Sequence, residues 1–283
     1  MPFPFPGDAL AEHWALGAAD VHPHHGGMNS ATWFVTTDQG RYVAKAVTGS
    51  VITPADPALW FRGGIAVADA LAARGFRSGA PVRTAGGALT VPWDGGALAV
   101  LTMVPETPAD DRRAIGATLA GAHRLLRDVR VEGEVGMDWV DPGAAHLGLR
   151  PWLRDAVAGA VRDLAAAGPL TTGLLHADPA PEAFIGGGLI DWGVAMRGPL
   201  LYDIASALMY LAEDGAGFLD GYRAGGAVPD AELRDALPVL LRFRYAVQAD
   251  YFARRIVMND LTGIADGADN ERGLEDARRG LHR

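Results

Sequence analysis

Three aspartates, Asp178, Asp191 and Asp203, stand in one stretch, Leu174 to Ala205, that constrains the fold more than any other part of the chain. It opens on an apolar run, Leu174 and Leu175, followed by a polar loop from His176 to Glu182. The apolar pairs Phe184–Ile185 and Leu189–Ile190 then flank three glycines, and Asp191-Trp192-Gly193 follows. Short apolar segments around a glycine turn predict a tight β-hairpin. Its two ends return side by side, so Asp178 before it and Asp191 after it are expected to face one pocket.

His176-Ala177-Asp178 and Asp191-Trp192-Gly193 resemble the H-R-D and D-F-G motifs of protein kinases. There the first aspartate accepts the proton of the attacking hydroxyl and the second holds the magnesium that bridges the phosphates. The resemblance is to the aminoglycoside phosphotransferase and choline kinase-like families, homoserine kinase included, whose loops read H-[GA]-D and whose metal motif often reads I-D-W. Gly198 to Ala205, GPLLYDIA, also looks like the G-x-P-x-x-D-L-A run of those families. The resemblance implies that Asp178 is catalytic, that Asp191 ligates metal, and that Asp203, with His176, supports the catalytic loop. It also implies a two-lobed α+β fold of protein-kinase type, with a small antiparallel sheet in an N-lobe (residues 1–104) and a mostly helical C-lobe (105–283).

The chain departs from this pattern most consequentially at one position. The families carry an asparagine five residues after the catalytic aspartate, where it ligates a second metal position and orients the base; here Ala183 stands there. A methyl group cannot coordinate a hard cation, which takes oxygen ligands. The Glu182 carboxylate, one residue earlier, is the candidate substitute.

Of the 25 basic residues only Lys45 is lysine, the rest being arginine. A lysine surviving such a bias invites a reason, because a compact ammonium and a guanidinium are not interchangeable against nucleotide phosphates. Arg41 to Val47 alternates as a strand and resembles the V-A-I-K strand of kinases. Before it lies His24-His25-Gly26-Gly27-Met28-Asn29-Ser30, a turn-rich loop that suits close backbone approach to phosphate; Gly26, Gly27, Asn29 and Ser30 are its candidate contacts. A plain hairpin connection explains this loop equally well. His22, His24 and His25 lack carboxylates at ligand spacing and read as a polar loop rather than a metal cluster.

Pro57 to Gly75 reads as a helix, with Leu59, Val67 and Leu71 on one side. Kinases pair their lysine with a glutamate on this helix, but Arg62, Gly63 and Gly64 occupy that region. Asp69 or phosphate itself remains as the partner of Lys45. Val82, Leu89 to Val91 and Leu98 to Met103 continue a small sheet. The lobe boundary is expected at Met103 to Glu106, with Met103 and Val104 against the nucleotide base; an ordinary linker reads the same. Helices are predicted over Asp110–Arg127, with His123 as a core residue, and over Leu153–Ala167. Further helices are predicted at Ile204–Leu211 with Asp203 as N-cap, Asp230–Leu237, Pro238–Met258 and Glu271–Arg283.

A net charge of −9 and the lack of any basic stripe argue against a nucleic-acid partner and favour a cationic or neutral small molecule. Cysteine is absent, which rules out disulfides, thiolate metal sites and thiol nucleophiles. The opening MPFPFPGDAL lacks the basic and apolar regions of a secretory leader, and no run of about 18 apolar residues suggests a membrane span, so a soluble cytoplasmic protein is expected. The leading reading is a phosphotransferase moving the γ-phosphate of ATP or GTP, with Mg2+, to a hydroxyl of an aminoglycoside-like or amino-alcohol acceptor. Asp214, Asp220, Asp250 and Tyr251 are candidate acceptor contacts. A catalytically weak or inactive kinase-like binder is the alternative. A metal-dependent hydrolase built on His176, Asp178 and Asp191 explains the acidic pair but not Lys45, Asp203 or the lobe pattern.

Overall fold

The computed structural model describes residues 4–17, 20–24, 28, 30–48, 56–105, 107–137, 139–211 and 214–282. Strands β1 (Asp20–His24), β2 (Ala31–Thr37), β3 (Gly40–Val47), β4 (Val91–Trp93) and β5 (Gly96–Thr102) form one antiparallel sheet in the order β1-β2-β3-β5-β4. Alternation along each strand separates two faces. Trp33, Val35, Ala44, Ala46, Leu98 and Val100 point outward and pack with Leu10 and Trp14 of helix α1 (Gly7–Trp14). On the inner face Val47, Ala97 and Ala99 pack with Phe61 and Ile65 of α2 (Pro57–Ala72).

Helix α2 joins the two halves of the molecule. The Asp56 carboxylate caps it by accepting the Leu59 N–H, and proline stands in its first turn, where a missing N–H costs nothing. Trp60, Val67, Ala68 and Leu71 belong to the large helical core, while Phe61 and Ile65 belong to the sheet. Leu59, expected on the apolar side, is 39% exposed.

The second half holds α3 (Arg112–Leu125), α4 (Leu153–Ala166), the strand pair β6 (Thr172–Leu175) and β7 (Met196–Pro199), α5 (Leu201–Leu211), α6 (Gly215–Gly225), α7 (Asp230–Met258) and α8 (Gly267–Leu281). This is the two-lobed α+β arrangement. Four local expectations are corrected. The glycines at 186–188 do not join a two-stranded hairpin: Ile190 N–H bonds to the Ala183 carbonyl, but residues 184–186 exchange backbone bonds with Thr107 and Ala109, and Leu175 pairs with Met196. Asp203 lies inside α5 rather than capping it. Asp230 to Met258 is one helix containing Pro238, not two. Finally, α8 starts at Gly267, where the Asp266 carboxylate accepts the Ala268 N–H.

Candidate active site in the interlobe cleft

A cleft of about 750 Å³ opens between the sheet and the helical half. The inner face of the sheet supplies its roof by the same period of two: Ser30, Thr32 and Phe34 from β2 with its preceding loop, and Val43, Lys45 and Val47 from β3. Met103 and Val104 line it after β5, while Asp178, Glu182, Ala183 and Asp191 line the floor. Lys45, Asp178 and Asp191 therefore share one cleft, as expected. Gly26, Gly27 and Asn29 lie outside the described residues; their neighbours Met28 and Ser30 both face the cleft.

Lys45, 8% exposed, donates from Nζ to Asp191 Oδ1. Desolvation opposes the ionised form of Asp191, but the Lys45 ammonium outweighs it and holds the carboxyl below its ordinary value. Asp69 is not the lysine's partner: it pairs with Arg83 at 2.6 Å. Helix α2 sits closely on the Asp191 segment. A Cβ on Gly64 would lie 2.1 Å from the Trp192 carbonyl oxygen, and the Trp60 indole N–H donates to the Ala195 carbonyl at 2.7 Å. The helix presents Trp60 and Phe61 to the cleft, and Lys45 turns to the floor instead.

The floor is held by Asp203. Its side chain is fully buried; Oδ2 accepts the His176 N–H and Oδ1 the Ala177 N–H, both at 2.7 Å, and His123 Nε2 lies 3.0 Å from Oδ2. His123 Nδ1 meets the Tyr222 hydroxyl at 2.7 Å, so the histidine is a core residue. The His176 ring joins the two motifs: its Nε2–H donates to the Ile190 carbonyl at 2.7 Å, while Nδ1 accepts the Asp178 N–H at 3.3 Å. A carbonyl only accepts, so this ring carries its proton on Nε2. Ala177 (φ 74°) and Asp191 (φ 70°) both take the left-handed conformation, which alanine and aspartate adopt at a cost. The anchored backbone around each sustains it.

Asp178 is met from two helices that sequence reasoning passed over. Its Oδ1 accepts the Tyr210 hydroxyl at 2.6 Å and lies 3.5 Å from Arg244 Nη2; Arg244 Nε donates to Ser206 Oγ at 2.6 Å. The signals were present. Asp203, Ser206 and Tyr210 form an i, i+3, i+7 polar stripe on an otherwise apolar helix, and Arg244 continues the buried face of Leu240 and Val247. Of the expected acceptor contacts, Tyr251 lines the cleft. Asp250 is buried against His146 and Arg254, while Asp214 pairs with Arg112 and Asp220 with Arg223. None of these three carboxylates lines the cleft.

A family model described as "Phosphotransferase enzyme family" matches residues 20–237. No curated protein matches the sequence. Among solved structures, the amicoumacin kinase hAmiN, in complex with AMP-PNP, Ca2+ and Ami, superposes with a TM-score of 0.72 at 19% identity over 97% of this chain and 91% of its own. Choline kinase LicA from Streptococcus pneumoniae gives 0.68 at 14% identity, covering 97% and 96%. A thermostable mutant of aminoglycoside phosphotransferase APH(4)-Ia, apo form, gives 0.64 at 15% identity, covering 98% and 100%. At these identities the superpositions show a shared fold.

Proposed function

The chain belongs to the phosphotransferase enzyme family, and on that footing we propose that it transfers the γ-phosphate of ATP or GTP to a hydroxyl group of a small molecule in the cytoplasm. The observation that carries this reading is the convergence of Lys45, Asp178 and Asp191 on one cleft, each set by a different element. We place the lobe boundary after Val104, so that Met103 and Val104 meet the nucleotide base, with Ser30 and the Gly26, Gly27 and Asn29 loop over the phosphates.

In this reading the acceptor hydroxyl oxygen attacks the γ-phosphorus, its proton passes to Asp178, and the bond to the β,γ-bridging oxygen breaks, releasing the nucleoside diphosphate. Lys45 leaves Asp191 for the phosphates and neutralises charge there. Among the described residues no group of three histidines or acidic side chains is assembled to hold a metal. That fits magnesium, which is usually held by one or two carboxylates and completed by phosphate oxygens and water. Asp191 would hold it, with Glu182 as a second oxygen donor; when bound it draws charge from the phosphates. His176 and Asp203 keep the loop and the metal motif in register.

A second reading, a binder that transfers slowly or not at all, is favoured by Ala183, which places a buried methyl in the cleft wall. Transfer of label from γ-labelled ATP or GTP to a panel of hydroxyl compounds separates the two. Asp178→Asn is expected to lower transfer by at least about a hundredfold, the usual worth of a positioned base. Ala183→Asn is expected to raise transfer where the vacant oxygen ligand limits it. Full transfer by Asp178→Asn would remove the proposed base.

A further inference from the structure

The wall around Asp178 is built from tyrosines whose faces already carry the chain's own arginines. The Arg244 guanidinium sits 5.9 Å from the ring centroids of both Tyr202 and Tyr210, and that of Arg255 sits 5.5 Å from the ring of Tyr251. Both arginines are buried, at 8% and 0% exposure. Tyr202, Tyr210, Tyr251 and Arg244 all line the cleft.

An aromatic wall can hold a cationic ligand only through ring faces that are open to it, or through carboxylates beside it. Here at least one cation site of each ring is taken. The catalytic carboxylate is matched as well: Arg244 lies 3.5 Å from Asp178 Oδ1, and Tyr210 donates to the same oxygen. Arg255 is matched by Asp260 at 3.1 Å, so it occupies a ring without adding net field. Burial pushes the hydroxyls of Tyr202 and Tyr251 up to about 12, so neither contributes negative charge at neutral pH. Asp250, the carboxylate nearest in sequence, faces away toward His146 and Arg254.

We infer that the acceptor end of the cleft takes an uncharged or anionic hydroxyl compound and selects against amine-bearing acceptors. The inference rests on the phosphotransferase reading and narrows its substrate class. It runs against the net charge of −9, which draws cations toward the molecule as a whole. That field is screened over about 8 Å at physiological salt, whereas the guanidinium lies in direct contact with the base. Local chemistry therefore decides which molecule stays.

A charge-matched series tests this: 4-(hydroxymethyl)benzoate, benzyl alcohol and 4-(aminomethyl)benzyl alcohol. Dissociation constants are measured by calorimetry on the protein loaded with magnesium and AMP-PNP, and kcat/KM with ATP. The uncharged or carboxylate member should be favoured over the ammonium member by at least about tenfold, and Arg244→Gln should narrow that gap. A wild-type preference for the ammonium member would overturn the inference, as would an unchanged gap in a folded Arg244→Gln variant. If that variant does not fold, the wild-type order alone decides. Binding of none of the three, with magnesium–nucleotide binding intact, also overturns the inference while leaving the phosphotransferase reading in place. Loss of nucleotide binding itself would remove both.

Discussion

Asp203 shows how much one side chain holds in this molecule. It takes two backbone N–H groups of the catalytic loop and the His123 ring in a site without solvent. An alanine there would leave those donors without acceptors, so Asp203→Ala should lower stability by about 3–5 kcal/mol in urea denaturation. Asparagine offers one acceptor oxygen where two N–H groups need two, so Asp203→Asn should fall between alanine and wild type. A fully stable Asp203→Ala variant with normal transfer would contradict the structural role. The sequence made Lys45, Asp178, Asp191 and Asp203 legible because each stands in a motif with fixed spacing. Tyr210 and Arg244 were not legible in the same way: they meet Asp178 from helices separated from it in sequence, and only their polarity on buried faces marked them. Of the four candidate acceptor contacts, only Tyr251 lines the cleft. Asp220 and Asp250 pair with Arg223 and Arg254 at i, i+3 and i, i+4 spacing within their own helices, which local sequence does show, whereas Asp214 meets Arg112 and Asp250 meets His146 across the fold, which it does not.

At the scale of elements, α2 replaces the missing helix glutamate with contact. Gly64 lets the helix backbone lie directly on Trp192 and Gly193, beside the metal motif. Alanine normally improves a helix by up to about 1 kcal/mol over glycine, but a Cβ 2.1 Å from a backbone oxygen forces the elements apart. Gly64→Ala should therefore destabilise by about 1–3 kcal/mol and disturb Asp191. Gly121 of α3, where an added Cβ meets nothing within 4 Å, is the control, and Gly121→Ala should stabilise. Equal effects at the two positions in thermal unfolding would refute the close-contact account. Most helices followed from their apolar period. The exceptions have physical causes. Pro238 was read as a break, yet Leu233, Ala236, Leu240 and Phe243 keep one buried face across it, and the carbonyl it frees belongs to exposed Arg234. Helix α6 was passed over because its sequence, GAGFLDGYRAG, reads as a loop; Gly221 instead packs against the Arg113 carbonyl of α3. Beside the bonds that close the 186–188 turn, residues 184–186 bond to Thr107 and Ala109, a choice made by distant chain.

For the whole molecule, the account holds that an antiparallel sheet and a helical half enclose one cleft, and that the two are joined through α2 and the Lys45–Asp191 pair. The sheet was legible from strand alternation and glycine turns, and the helical half from its periodicity. Among the described residues no helix is long and apolar enough to cross a membrane. The central claim is that this cleft binds a nucleotide through magnesium held by Asp191. Calorimetric titration of ATP into the wild type and into Asp191→Ala, each with and without magnesium, tests it most directly. The wild type should bind at least about tenfold more tightly with magnesium than without it, and Asp191→Ala should lose that difference while retaining its fold. The same magnesium-dependent affinity in Asp191→Ala as in the wild type would contradict the assignment.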